Sequence, residues 1–183
     1  MIQVREGDFD KMGVLYQRHH SLLYGFLYHI TGQKDLSEDL VQNAFFRMLK
    51  YRASFTGNGE FRSWMYHVTK NVLNDYYRKA KRTPAPQDLT GYDRKPGDEL
   101  NLDIQLEKKQ EFKNLEKAME HLSHENRELL VLCRYQELKY HEIARIYNIT
   151  ETAVKVRVHR AMNQLREVYL KIENMYDYGM QGK

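Results

Sequence analysis

The sequence has few helix-breaking residues and a single cysteine. Only three prolines and ten glycines occur among 183 residues, so long helices are expected. Cys133 has no second cysteine to pair with, which excludes an intrachain disulfide and a cysteine-based zinc site. No apolar run approaches the roughly 18 residues that span a bilayer, and residues 1–7 lack the apolar core of a secretion signal. The cytoplasm is therefore the expected location, without membrane insertion.

The motifs of common enzymes are missing as well. His141 precedes Glu142, but no second histidine follows four residues after His141, so the HExxH spacing of a zinc protease is not met. No glycine-rich phosphate loop occurs either. We therefore expect no catalytic residue, no metal site and no cofactor.

Positive charge is concentrated in two segments. Residues 60–82 hold six Lys/Arg and two Asp/Glu, and residues 139–171 hold seven and three. The residues between them, 83–138, hold eight basic and twelve acidic side chains. Two basic segments around an acidic one favour two contacts with a polyanion such as DNA. Two solvated helix faces would give the same distribution, and charge alone does not separate these interpretations.

The prolines divide the chain into two helical modules. All three lie between Thr83 and Gly97, where proline prevents a helix from continuing. We predict an all-α fold with a helical domain over 1–82, a Pro/Gly-containing linker over 83–109, a second helical domain over 110–172 and a tail over 173–183. The part of this linker that cannot continue a helix, about 83–104, has about 22 residues and spans about 73 Å when fully extended.

The N-terminal module predicts three helices. Apolar residues, Leu22 among them, recur at helical spacing from residue 9 to residue 30, and Gly32 follows as a stop. Asp35 and Glu38 have the spacing of a capping box for the second helix. The third helix turns Trp64 inward with its apolar stripe. Its opposite face is polar and basic, and comprises Arg62, Lys70, Asn71, Asn74, Arg78 and Lys79.

The C-terminal module predicts a helix-turn-helix between Lys139 and Leu165. The first helix ends at Asn148, a residue that tolerates the left-handed conformation. Thr150 can then cap the second helix. Cys133, on the preceding apolar stripe, is expected to be a small buried hydrophobic residue.

The second helix of this motif has the pattern of a recognition helix. Its apolar stripe consists of Val154, Val158, Ala161 and Leu165. The opposite face offers donors, cations and one methyl-bearing residue to base edges and phosphates. The predicted DNA contacts are Thr152, Lys155, Val156, Arg157, His159 and Arg160. A plain amphipathic helix in a bundle is the alternative for this pattern.

Two blocks of sequence resemble a known family. They are "DLSEDLVQNAFFRMLKYRASFTGNGEFRSWMYHVTKNVLNDYYRKAKR" (Asp35–Arg82) and "LSHENRELLVLCRYQELKYHEIARIYNITETAVKVRVHRAMNQLRE" (Leu122–Glu167). Together they resemble the extracytoplasmic-function (ECF) sigma factors of bacterial RNA polymerase. The helix-turn-helix is shared by many regulators, whereas the first block is far more specific. The resemblance implies a transcription initiation factor that binds core RNA polymerase and promoter DNA, with an anti-sigma factor as a further candidate partner.

The resemblance also implies site residues in the first block. Asp39 and Gln42 match the family's polymerase-docking motif, and Asn43 stands where an acidic residue is usual. The loop before the third helix, with Asn58, matches the loop that captures a base flipped out of the melted minus-ten element. The remaining minus-ten contacts are expected at Arg62, Asn71, Asn74, Arg78 and Lys79. Asp75 is expected to organise neighbouring arginines.

In the second block the resemblance implies minus-thirty-five recognition by the helix that carries Lys155 to Arg160. The family usually has a small polar residue where Val156 stands, so a changed base preference is expected. Ser123 replaces the usual proline and can still cap the following helix. The two promoter elements lie about two helical turns, or about 70 Å, apart, within reach of the linker. A helix-turn-helix repressor or activator that does not bind polymerase is the competing function. It would leave the first block without a role.

Overall fold

In a computed structural model, which describes residues 1–58, 60–82 and 102–180, all regular structure over those residues is helical. Most of the predicted linker, 83–101, and the end of the tail, 181–183, lie outside the described residues. A short 3₁₀ turn covers Arg52–Ser54 and a π turn covers Val131–Tyr135. The helices are α1 (Ile2–Arg5), α2 (Asp10–Thr31), α3 (Lys34–Lys50), α4 (Phe61–Ala80), α5 (Leu102–Glu120), α6 (His124–Leu130), α7 (Tyr140–Tyr147) and α8 (Glu151–Met180).

The N-terminal half is a bundle of α2, α3 and α4, as predicted. α2 ends at Gly32, which has a φ of 70° and so adopts the left-handed conformation that glycine tolerates. Leu23, Phe26 and Leu27 from α2 are fully buried in the bundle. Leu22 belongs to the same apolar pattern but is 40% exposed. Adjacent helical residues point about 100° apart, so Leu22 lies outside the core position that Leu23 occupies.

The predicted N-cap of α3, Asp35, is wrong. The helix begins one residue before Asp35, and its N-cap is Gln33 in an extended conformation. The Ser37 hydroxyl donates to the Gln33 carbonyl at 2.5 Å, and the Gln33 amide donates to the Thr31 hydroxyl at 3.3 Å. These groups hold the start of α3 without Asp35, whose charge lies in the first turn, where it suits the helix dipole. Glu38 instead pairs with His20 of α2.

The C-terminal half packs α5, α6 and α7 against α8. α5 begins at Leu102 rather than near 110, and α8 runs for 30 residues to Met180, past the predicted end of this domain at 172. The Ser123 hydroxyl accepts from the Asn126 amide at 3.3 Å, so it caps α6 as expected. Cys133 lies in the π turn and packs against the core, but it is half-buried rather than fully buried.

The two halves are in direct contact and share one continuous buried core. α7 packs on α4, and the π turn packs on α2. Arg127, which is 8% exposed, donates from α6 to the Ile30 carbonyl at the end of α2 at 3.0 Å. The all-α architecture with two helical regions is therefore as predicted, but the described conformation holds these regions against each other.

Candidate nucleic-acid interface

The helix-turn-helix forms as the sequence predicts. α7 ends at Asn148, which has a φ of 52°. The left-handed residue reverses the chain, and the Thr150 hydroxyl then accepts from the Ala153 amide at 3.2 Å to cap α8. Val154, four residues after Thr150, is fully buried, and Ile149 packs beside it at the edge of the core. The short turn therefore fixes the angle at which α8 leaves α7.

The predicted recognition face of α8 points away from the protein. Val154, Val158 and Ala161 are buried beneath it. Val156 is 45% exposed, as expected for a residue that contacts bases rather than the core. Arg157 is half-buried and donates to Glu125 of α6 at 2.6 Å. The exposed members of the predicted set are Thr152, Lys155, Val156, His159 and Arg160.

The predicted minus-ten residues of α4 do not form one free surface. Asn71, Asn74 and Arg78 lie three and four residues apart and are all exposed, so they form one edge of the helix. Lys79 is exposed as well. Arg62, in contrast, is half-buried and donates to the Gln136 carbonyl of the C-terminal half. The helix therefore presents a three-residue polar edge, while its first predicted contact is engaged within the protein.

The loop before α4 is built on an aromatic cluster. Phe55 is 7% exposed and packs against Phe61 and Trp64, with ring centroids 5.9 and 5.3 Å away. Trp64 is half-buried on this cluster, and its Nε1 donates to Ser54 at 3.3 Å, so a packing role fits it, as predicted. Asn58 is exposed at the loop tip beyond this support.

A cleft of about 400 Å³ adjoins this loop. Its N-terminal wall includes Thr56 and Ser63, and its opposite wall comes from Arg145 and Asn148 of the helix-turn-helix. The Ser63 hydroxyl is buried and has no hydrogen-bond partner among the residues that the structure describes. The cleft therefore combines polar side chains with the rings of Phe55 and Trp64, and the C-terminal half forms one side of it.

The predicted polymerase-docking residues share the outer edge of α3. Asp39, Gln42 and Asn43 are all exposed. Phe46 lies one turn further along the same edge and is 64% exposed, although the neighbouring Phe45 is buried. Phe46 is not among the predicted docking residues, although an aromatic residue just outside the apolar stripe of α3 could have indicated it.

A chain of polar contacts connects this edge to α4. Arg47 donates to the Asn43 side chain at 3.1 Å and to Asp75 of α4 at 2.6 Å. Arg78 donates to the other oxygen of Asp75 at 2.7 Å. The hydrogen bond from Arg47 lowers the pKa of Asp75, which keeps its carboxylate charged. Asp75 thus organises two arginines, as expected, and joins a predicted polymerase contact to a predicted DNA contact.

The contact between the halves contains buried polar residues that hydrophobic periodicity did not identify. Gln136 is 7% exposed and accepts at its side-chain oxygen from the Tyr66 hydroxyl at 2.6 Å. Glu128 is 2% exposed and accepts from the Tyr147 hydroxyl at 3.1 Å. Burial raises the pKa of Glu128 to about 7. Helical periodicity identifies buried positions by their apolar residues, so the burial of these polar residues could not be predicted from the sequence.

Among the side chains that the structure describes, in residues 1–58, 60–82 and 110–174, no three His, Cys, Asp or Glu come close enough to hold a metal ion. Within residues 1–58, 60–82 and 102–180, no helix is both long enough and apolar enough to cross a membrane.

Both halves of the chain are similar to known proteins. Residues 15–83 match the family model of Sigma-70 region 2, and residues 112–165 match that of Sigma-70, region 4. The chain is 32% identical to the ECF RNA polymerase sigma factor SigM of Bacillus subtilis over 85% of this chain and 93% of SigM. It is 28% identical to the ECF RNA polymerase sigma factor SigE of Mycolicibacterium smegmatis over 86% of this chain, but spans only 61% of SigE.

A solved structure has a similar fold. It is the sigma factor RpoE in complex with the anti-sigma factor NepR from Bartonella quintana. The TM-score is 0.65 at 23% identity, and the match covers 88% of this chain and 96% of that one.

Proposed function

The chain belongs to the ECF sigma factors of RNA polymerase. We propose that three exposed surfaces of the chain bind the minus-thirty-five element, the minus-ten element and core polymerase. Sigma factors are transcription initiation factors, not enzymes, and act by binding core RNA polymerase and promoter DNA. The proposal concerns which residues of this chain make those contacts. It rests above all on the exposed cationic face of α8, which is the second helix of a helix-turn-helix whose first helix ends at Asn148.

The α8 face is proposed to read the minus-thirty-five element. Exposed Lys155 and Arg160 carry charge for guanine edges or phosphates, and the exposed methyl groups of Val156 suit a thymine methyl. The apolar stripe beneath holds the helix so that this face projects outward. Arg157 joins the contact after release from Glu125. Thr152 and His159 complete the proposed set.

The α4 edge and its preceding loop are proposed to bind the melted minus-ten element. Asn71, Asn74 and Arg78 offer donors along one edge, and Asn58 is exposed at the loop tip. The cleft beside this loop, which is lined by aromatic and polar side chains, is the proposed place for a flipped base. Extruding a base costs a few kcal/mol, which stacking and hydrogen bonding in such a cleft offset. Lys79 is proposed as a phosphate contact, and Arg62 as a second one once it is released from the Gln136 carbonyl.

The α3 edge is proposed to dock on core polymerase. Asp39 carries an exposed negative charge, and Gln42 and Asn43 add amide hydrogen-bonding groups one turn away. Phe46 extends this edge with an exposed aromatic ring, a residue type enriched at protein interfaces. A cytoplasmic location is part of the proposal, because core polymerase and the chromosome are there. An anti-sigma factor is a further proposed partner, since the similar RpoE structure contains one.

Two sets of substitutions test the assignment. Arg160→Ala is expected to weaken binding to a minus-thirty-five-containing promoter fragment about ten-fold, because a base or phosphate contact is worth about 1–3 kcal/mol. Co-purification with core polymerase should not change. Asp39→Ala with Gln42→Ala is expected to do the reverse, reducing polymerase co-purification in a pull-down.

The promoter fragment for these assays comes from in vitro transcription with core polymerase on a genomic library. Promoter affinity that survives Arg160→Ala would contradict the recognition-helix assignment, and full polymerase binding by the α3 double variant would contradict the docking edge. A repressor acting without polymerase would not co-purify with core enzyme at all. That alternative is not favoured, because both sigma regions are present.

A further inference from the structure

The short helix α1 supports the loop before α4. It packs on α2 and on the 3₁₀ turn that leads into this loop. Val4 of α1 is fully buried, so it anchors the helix to the N-terminal half. α1 precedes residues 15–83, which match Sigma-70 region 2, so the family resemblance assigns this helix no role.

Two side chains of α1 contact the backbone of the loop. Arg5 donates through Nη1 to the Phe55 carbonyl at 3.0 Å. The Ile2 side chain lies against Gly57, since a Cβ on that glycine would be only 3.4 Å from Ile2 Cδ1. Gly57 has a φ of 84°, a conformation that glycine tolerates and other residues rarely adopt. α1 thus holds two positions of the loop backbone and leaves the side chain of Asn58 exposed.

Phe55 is held at both its ring and its carbonyl. Its ring packs in the aromatic cluster with Phe61 and Trp64, and Arg5 bonds to its carbonyl. The cleft proposed for the flipped base is lined by residues of the 3₁₀ turn, this loop, α4 and the helix-turn-helix, and none of the described lining residues belongs to α1. Any effect of α1 on a bound base would therefore pass through the loop.

The sequence of the loop explains why such support matters. The segment FTGNG contains Gly57 and Gly59, and glycine loses more backbone freedom on ordering than any other residue. A loop that becomes ordered only on binding loses part of its binding free energy to that ordering, whereas a preorganised loop does not. Contacts at the backbone of Phe55 and Gly57 therefore favour base binding without touching the base.

From these contacts we propose that α1 is a positioning element for the minus-ten contact, in which Arg5 and Ile2 hold the loop backbone in the conformation that receives the flipped base. The inference rests on the proposed base-capturing role of this loop. The two residues raise the fraction of chains whose loop is competent to bind, and the apparent dissociation constant for the strand falls in proportion. Their contribution cannot exceed that of the captured base itself.

The first test measures strand binding by the complex of the full-length chain with core polymerase. The probe is the fluorescein-labelled minus-ten single strand of the promoter found by in vitro transcription, and fluorescence anisotropy gives its affinity. Abasic replacement at each position in turn identifies the base whose loss weakens binding by the unmodified complex most. Arg5→Ala is expected to weaken binding of the intact strand about two- to five-fold, because one lost hydrogen bond shifts an equilibrium about five-fold. It should leave the affinity for the strand that lacks this base unchanged.

Ile2→Ala combined with Arg5→Ala should weaken binding of the intact strand further. The loss should never exceed the loss that the abasic replacement causes in the unmodified complex. Two controls are matched to these changes. Gln3→Ala removes an exposed side chain from the same helix, and Lys11→Ala removes an equal positive charge from the start of α2. Neither control should change the affinity for either strand.

The second test observes the loop in the free chain, without DNA or polymerase. Trp64 is the only tryptophan of the sequence, and its ring centroid lies 5.3 Å from that of Phe55. Acrylamide quenching of its fluorescence therefore reports on the packing of the loop. Arg5→Ala should increase this quenching and shift the emission to longer wavelength, and Gln3→Ala should do neither.

Several results would overturn the proposal. Equal weakening of the intact and the abasic strand by Arg5→Ala would make Arg5 a phosphate contact instead. Unchanged affinity for the intact strand in both α1 variants, or weaker binding without a change in Trp64 quenching, would also contradict it. Failure of the proposed function would look different. No abasic replacement would then weaken binding by the unmodified complex, while the difference in Trp64 quenching between Arg5→Ala and Gln3→Ala would stand.

Discussion

The stability of this protein should depend on pH through Glu128, whose carboxyl group is 2% exposed. Burial raises its pKa from 4.5 to about 7, while the Lys70 ammonium and the Tyr147 hydroxyl oppose that rise and Glu125 adds to it. The folded state therefore holds a proton that the unfolded chain releases near pH 4.5. At about 1.4 kcal/mol per pKa unit, this difference corresponds to about 3 kcal/mol of unfolding free energy.

The sign follows from the direction of the shift. A buried carboxyl group with a raised pKa destabilises the fold once it is ionised, so the penalty is absent below about pH 4.5 and complete above about pH 7. Glu128→Gln keeps a neutral group of similar shape beside Tyr147 at every pH. We expect this variant to match the unmodified protein near pH 4.5 and to exceed its stability by about 3 kcal/mol at pH 8. In a domain of this size that is roughly 6–12 °C in Tm.

Urea and thermal unfolding at pH 5 and pH 8 provide the assay. Glu125→Gln is the control, because its carboxylate lies on the preceding turn of α6 but is 58% exposed. It should lose a fraction of a kcal/mol with its Arg157 ion pair, and at pH 8 it should recover only the small part of the Glu128 penalty that the Glu125 charge causes. A Glu128→Gln variant that is equally stabilised, or equally destabilised, at both pH values would refute the reasoning, since the effect would then not come from ionisation.

Two further outcomes are expected. Thr150→Ala removes the hydroxyl that caps α8 and should lower the unfolding free energy by about 1 kcal/mol in urea; exposed Thr152→Ala is the control, and an equal loss in both would contradict the capping role. Asp75→Asn removes the charge that holds Arg78. It should weaken promoter binding by the polymerase complex about five-fold while polymerase co-purification is retained, and unchanged promoter affinity would show that Arg78 needs no such anchor.

Most of the local structure was predictable because it follows from short-range patterns. Gly32 and Asn148 both adopt the left-handed conformation that their residue types indicate, and the burial of Val154 and Val158 follows the helical period. The start of α3 was not predictable in the same way. The sequence indicated Asp35 as its cap, but the helix begins before Asp35, and the Ser37 hydroxyl bonds to the N-cap residue Gln33 instead.

The contact between the halves could not be predicted from single segments of the sequence. Gln136 and Arg127 are polar, and nothing in their neighbourhood indicates burial. They are buried because each finds hydrogen-bond partners more than 60 residues away along the chain, at Tyr66 and Ile30. Only the tertiary arrangement supplies such partners. The proposed DNA contact Arg62 was misplaced on a free surface for the same reason.

Because of the π turn at Val131–Tyr135, the contact between the two halves depends on the number of residues in this segment as well as on side-chain chemistry. A π turn holds one residue more than an α-helical path, and each helical residue advances the direction of a side chain by about 100°. Deleting a single residue such as Arg134 would rewind the segment to α-helix and rotate Gln136 away from Tyr66. Insertions and deletions in these five positions should thus weaken the contact between the halves, even where every contacting side chain is kept.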